Sequence, residues 1–134
     1  MKKVEINGIS YDIDYNALTY IEYRKKFNKG IFEDIATIQS FITIQVLIAD
    51  KIKKENPDIT ETEITKELSK YMLKNIDEYI EAVTRITYIG ILTANEKIGT
   101  YEEWLKTIKK IKTNDKWIVE VTEFAVDCFC WWRS

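Results

Sequence analysis

The stretch that decides the fold is Ile31–Glu55, IFEDIATIQSFITIQVLIADKIKKE. Ile35, Ile38, Ile42, Val46, Ala49 and Ile52 recur at steps of three and four, the spacing of one helix face. Phe41, Ile44, Leu47 and Ile48 lie off that stripe, so the middle is apolar nearly all round. Such a helix is expected to be buried on several sides, as the central helix of a domain. Its uncharged run, Ile35 to Ala49, is fifteen residues long and holds Thr37, Gln39, Ser40, Thr43 and Gln45. A membrane span needs ~20 mainly apolar residues. Asn56-Pro57 ends the helix, because a residue before proline is driven out of the helical region.

Upstream, residues 3–13 read as a β-hairpin. Asn7-Gly8 is a two-residue type I′ turn, in which both positions take positive φ. Pairing across it sets Ile6 against Ile9, Glu5 against Ser10, Val4 against Tyr11 and Lys3 against Asp12. Val4, Ile6, Ile9, Tyr11 and Ile13 then share one face. A lone hairpin is marginal in water, so that face must cover helices or another chain. Asp14 or Asn16 caps a helix reaching Phe27, with Leu18 and Ile21 as its stripe and Tyr20, Tyr23 and Phe27 beside it. Arg24, Lys25 and Lys26 suit its C-terminal dipole, and Gly30 breaks the chain after it.

Downstream, Thr60 and Glu63 form a capping box. The helix behind it is expected to run to Lys74, with Ile64, Leu68, Tyr71 and Met72 inward. Another begins at Asp77 and ends near Gly99, carrying Ile80, Val83, Ile86 or Thr87, Gly90 or Ile91, and Ala94. Thr100 and Glu103 make a second capping box, with Tyr101, Trp104 or Leu105, Ile108 and Ile111 behind it. Asn114 or Asp115 caps the last helix. The expected fold is therefore mainly α: an N-terminal β-hairpin (3–13) followed by about six helices (14–134) in a compact bundle, one domain over 1–134.

Composition narrows the chemistry. The chain has 134 residues, 46% hydrophobic and 31% charged, with a net charge of −2. That is globular rather than disordered, and it lacks the positive excess of bulk nucleic-acid binders. There is no histidine, which removes Ser-His and Cys-His nucleophiles and His-ligated metals. Cys128 and Cys130 point apart on a helix, so they are expected to be free thiols in a reducing cytosol. Gly8, Gly30, Gly90 and Gly99 are scattered and build no phosphate loop. The acids fall at caps and polar faces; Asp50 and Asp127, nearest to apolar faces, are the two to examine for unusual ionisation. No catalytic, cofactor-binding or metal-binding residue is expected.

Two clusters remain. Lys106, Lys109, Lys110, Lys112 and Lys116 span two expected helices at helix-turn-helix spacing. The second of those helices carries Asp115, Glu120, Glu123 and Asp127, which would repel phosphates. The C-terminus crowds Phe124, Phe129, Trp131 and Trp132 into eleven residues. Aromatics are enriched at interface hot spots, so these four, with Ile9 and Tyr11 of the hairpin, are the candidate partner-binding residues.

The first forty residues carry a resemblance. The hairpin turns at Asn7-Gly8. An aromatic-rich helix with Leu18, Ile21 and Glu22 follows, and Phe27, Gly30 and Phe32 open the next. This resembles the small tail assembly chaperones of tailed bacteriophages and prophage tail-like particles. That family often has Gly-Lys where this chain reads Phe27-Asn28-Lys29-Gly30. The resemblance implies a non-enzymatic protein of the short form. It would bind the helical tape-measure protein and keep it soluble until the tail tube polymerises. It would self-associate, reach tube protein through a frameshifted longer form, work in the host cytoplasm and be absent from the mature virion. Without the resemblance, the residues read as a small, soluble, mostly helical interaction domain; the alternative to the chaperone is a small helical DNA-binding regulator or a protein-interaction adaptor.

Overall fold

The computed structural model describes residues 1–129; Cys130, Trp131 and Trp132 lie outside the described residues. The chain opens as an antiparallel hairpin of β1 (Lys2–Ile6) and β2 (Ile9–Ile13) in the expected register, Ile6 against Ile9 through Lys3 against Asp12. Asn7 and Gly8 take φ of 51° and 82°, as a type I′ turn requires. Val4, Ile6 and Ile13 are buried, while Ile9, beside the turn, stays 48% exposed.

Five helices follow, where about six were expected: α1 (Ala17–Phe27), α2 (Ile31–Glu55), α3 (Glu61–Ala94), α4 (Tyr101–Leu105) and α5 (Lys116–Phe129). The hairpin packs against α3 through β2 and against α5 through β1. The Asp14 N–H donates to Gly90 O at 3.0 Å, and Tyr15 Oη donates to Ile86 O at 2.9 Å. Gly90 makes this possible: a Cβ there would lie 2.8 Å from Tyr15 Oη.

Asn16 caps α1, its Oδ1 accepting from Thr19 N while Thr19 Oγ1 accepts from Asn16 N. The inward face is not the expected Leu18–Ile21 stripe, which is 62% and 50% exposed. Thr19 and Tyr23 point inward instead. Their polar atoms decide this: Thr19 Oγ1 meets Thr93 Oγ1 at 3.0 Å, and the Tyr23 hydroxyl donates to Asp34. Asn28, in the left-handed region at φ 54°, ends α1. Gly30 is extended and opens α2, with Glu33 Oε2 accepting from its N–H.

α2 spans the expected residues, but it is not a buried central helix. Only Ile31, Asp34, Ile35, Ile38 and Phe41 are buried, all in its first half. At 1.5 Å per residue the helix is ~37 Å long, and the core reaches only its opening turns. α3 is one continuous helix of 34 residues; the break expected at Asn75–Asp77 is absent. No glycine or proline stands between Glu61 and Ile89, and asparagine alone costs a helix too little to break it. Its second half carries core residues Tyr79, Ala82, Val83, Ile86, Ile89 and Ile91; it stops at Asn95, not Gly99. Tyr71, expected inward, is 54% exposed.

The second capping box forms, but α4 ends at Leu105 rather than continuing to Ile111. Asn7 supplies the reason. Its Oδ1 accepts from Lys109 N and Lys110 N, both at 3.1 Å, and its Nδ2 donates to Lys110 O at 3.0 Å. Those backbone groups are thereby bound outside a helix. The helix-turn-helix spacing therefore dissolves into an irregular connection.

Candidate functional site

Beyond Phe41, α2 runs antiparallel to the first half of α3 as a two-helix arm. Along it Ile42, Ile44, Val46 and Leu47 of α2 are 39%, 46%, 62% and 61% exposed, and Leu73 of α3 is 71% exposed. This is a concentration of large aliphatic side chains in water, the kind of patch that marks interaction surfaces. Isolated exposed apolar residues would carry no such meaning.

Between the two helices lies a cleft of about 300 Å³, at the small end of ligand-sized cavities. Ile44, Ile48, Leu68, Tyr71 and Met72 give it apolar walls, and Phe41 belongs to the same lining. Phe41 stacks on Tyr79 with ring centroids 4.1 Å apart, which fixes the end nearest the core. Gln45 also lines the cleft, and its Nε2 is buried with no hydrogen-bond partner among the described residues. The cleft is thus shaped for apolar side chains. α2 as a whole is also long and apolar enough, by length and composition, to cross a membrane.

A buried polar cluster anchors the base of the arm. Arg85 clasps Asp34 through two bonds, Nε to Oδ2 at 2.8 Å and Nη2 to Oδ1 at 2.9 Å. The Tyr23 hydroxyl donates to the same carboxylate. Burial, and then Asp34, push the Tyr23 hydroxyl far above its ordinary value; the bond to Asp34 raises Arg85 further. Tyr23 and Arg85 therefore keep their protons across the working pH range. The cluster joins α1, α2 and α3.

The candidate residues from the sequence fall elsewhere. Phe124 and Phe129 are half-buried and both pack on Tyr15, at 5.7 and 5.5 Å between ring centroids; Phe129 also meets Phe32 at 6.1 Å. The two phenylalanines thus converge on one tyrosine. Tyr11 is half-buried against the core and Ile9 stands free at the hairpin tip. Trp131 and Trp132 lie outside the described residues. Asp50 and Asp127 are exposed; the buried acid is Asp34, which sits within the Ile31, Ile35, Ile38 stripe. Cys128 is a free, exposed thiol, raised by burial and by Asp14.

Sequence reasoning missed the arm. The signal lies in Phe41, Ile44, Leu47 and Ile48 off the main stripe, but an apolar helix middle does not tell burial within the chain from an exposed arm. No family model matches this sequence, and no curated protein or solved structure gives a match.

Proposed function

We propose that this chain is a non-enzymatic tail assembly chaperone of a tailed phage or prophage. On this reading it binds the helical tape-measure protein and keeps it soluble until the tube polymerises. The observation that carries it is the row of exposed aliphatic side chains on α2 beside an apolar cleft. A client helix with an apolar stripe would lie along the arm, in the helix-in-groove mode. Each half-exposed aliphatic side chain so covered contributes on the order of 1 kcal/mol. A single arm therefore binds weakly, and many copies along one long client bind firmly through avidity. Weak individual contacts also allow release as tube subunits arrive. The resemblance of the first forty residues supports the same reading, which includes self-association, a cytoplasmic site of action and a frameshifted longer form that recruits tube protein.

The test is co-purification from cells expressing the tail genes, with a tag on the N-terminus. A large helical protein carrying many copies of this chain is the expected result. Ile44→Asp with Leu47→Asp should abolish recovery while leaving far-UV CD unchanged. Recovery of DNA, or of one small partner at equal stoichiometry, would refute the reading in favour of a regulator or an adaptor.

A further inference from the structure

The exposed row on α2 continues past its aliphatic part. Lys53 lies about two turns beyond Val46 on the same line of the helix, and Lys54 lies about two turns beyond Leu47. Asp50 stands between the two pairs, and all three charged side chains are exposed. Among the described residues, neither lysine has a carboxylate within ion-pair distance. From the core outward, this side of α2 therefore presents Val46 and Leu47, then one acid, then two unpaired cations.

The charges choose between the helices that could cover this side. A second copy could lay its own α2 antiparallel over Val46 and Leu47. Lys53 and Lys54 would then face residues 38–41 of the other copy, Ile38, Gln39, Ser40 and Phe41, which include no acid. In a parallel, in-register pairing, Asp50 would meet Asp50 and Lys53 would meet Lys53, and like charges repel. A helix of another protein is free of both restrictions. Acids on its apolar face, placed about two turns past the stripe, would reach both lysines.

We propose that the arm receives a helix of another protein that carries, on one face, an apolar stripe followed by Glu or Asp about two turns farther on. This rests on the reading of the arm as a client site and adds the chemistry of the client segment. The stripe covers Val46 and Leu47 and supplies most of the binding through burial. The acids meet Lys53 and Lys54 in exposed pairs, which set alignment more than affinity. The client helix is thereby given a direction: its apolar stripe lies toward the core and its acidic end toward the tip of the arm.

The probes are two synthetic helical peptides of identical composition and no net charge, each with a leucine stripe. In one, a Glu pair follows the stripe on the leucine face and a Lys pair lies on the opposite face; in the other the pairs are exchanged. Each is titrated at low salt into the full chain, labelled with nitrogen-15, and followed by NMR. The peptide with acids on the leucine face should bind about fivefold more tightly, the worth of two exposed ion pairs, and should shift amides over residues 42–54. Lys53→Glu with Lys54→Glu should reverse the preference, and that reversal also shows the variant to be folded. Val46→Ser with Leu47→Ser should weaken both peptides by about tenfold or more. Equal binding of the two peptides, binding of neither, a preference that survives the charge reversal, binding unchanged by the serine variant, or arm amides that shift on dilution without peptide, the mark of a second copy, would overturn the acidic-helix site. Client recovery from cells is a separate matter: recovery without the charge preference sinks this site alone, and the preference without recovery sinks the chaperone reading alone.

Discussion

Replacing Arg85 by Met should be among the most damaging single changes available on this chain. Asp34 is 1% exposed, and its carboxylate holds two bonds from Arg85 and one from Tyr23. Arg85→Met keeps the volume and leaves that charge buried with one neutral donor. Breaking a buried pair from one side costs about 3–5 kcal/mol, against a total stability of about 5–15 kcal/mol for a domain. Asp34→Asn should cost less, about 1–3 kcal/mol. The asymmetry follows from the structure: the Arg85 side chain is 13% exposed and has Glu81 at 3.7 Å, so the orphaned guanidinium can reach water and a second carboxylate. Replacing both partners, Asp34→Leu with Arg85→Met, removes the buried charge altogether and should recover most of the loss. Urea unfolding followed by far-UV CD at neutral pH measures all three. A cost below ~1 kcal/mol for Arg85→Met, the level of an exposed ion pair, would refute the view that this cluster ties α1, α2 and α3 together.

Other outcomes follow from single contacts. Asn7→Gly suits the positive φ but removes three hydrogen bonds to the Lys109–Lys110 backbone; it should destabilise by about 1–3 kcal/mol and raise amide exchange at residues 108–111. Gly90→Ala drives a methyl into Tyr15, 2.8 Å from its hydroxyl, and should cost about 1–3 kcal/mol in urea. Burial pushes Tyr79 up to about 12 and raises Tyr15 and Tyr23 as well. The unfolded chain releases these protons near pH ~10 while the folded one keeps them, so stability is whole below that pH and falls above it; Tyr79→Phe should lessen the fall in an alkaline unfolding curve. Hydrogen exchange should be faster over residues 42–55 and 61–74 than over 82–91, because the arm has only its own two-helix interface to protect it; equal protection would mean the arm is covered in solution.

Local signals were readable without the fold. The Asn7-Gly8 turn set the hairpin register, and the Thr100–Glu103 box set the start of α4, since each involves residues within reach along the chain. What failed was set by distant partners. The α1 face is chosen by Thr93 and Asp34, and no pattern within Ala17–Phe27 contains them. The end of α4 is chosen by Asn7, about a hundred residues away in sequence. Asp34 occupies a core position of the Ile31, Ile35, Ile38 stripe, but a carboxylate there is credible only once Arg85 is placed opposite it. Phe124 and Phe129 pack on Tyr15, about a hundred residues away in sequence, and no pattern within the last helix contains it. The arm looked buried because an all-round apolar helix does not say whose atoms cover it.

That last ambiguity bears on function. An arm of two antiparallel helices needs one apolar stripe on each, and Phe41, Ile48, Leu68 and Met72 already line the space between them. Val46 and Leu47 are not part of that lining and are 62% and 61% exposed. Polar residues there would keep the same two-helix contact and reduce the risk of aggregation. A chain stabilised for itself alone has no physical reason to leave two large aliphatics of its arm mostly in water. A partner helix that covers them supplies one. This supports a binding role on the arm, and it makes substitutions at Val46 and Leu47 the sharpest probes: small effects on stability, because the side chains are exposed, and large effects on client recovery.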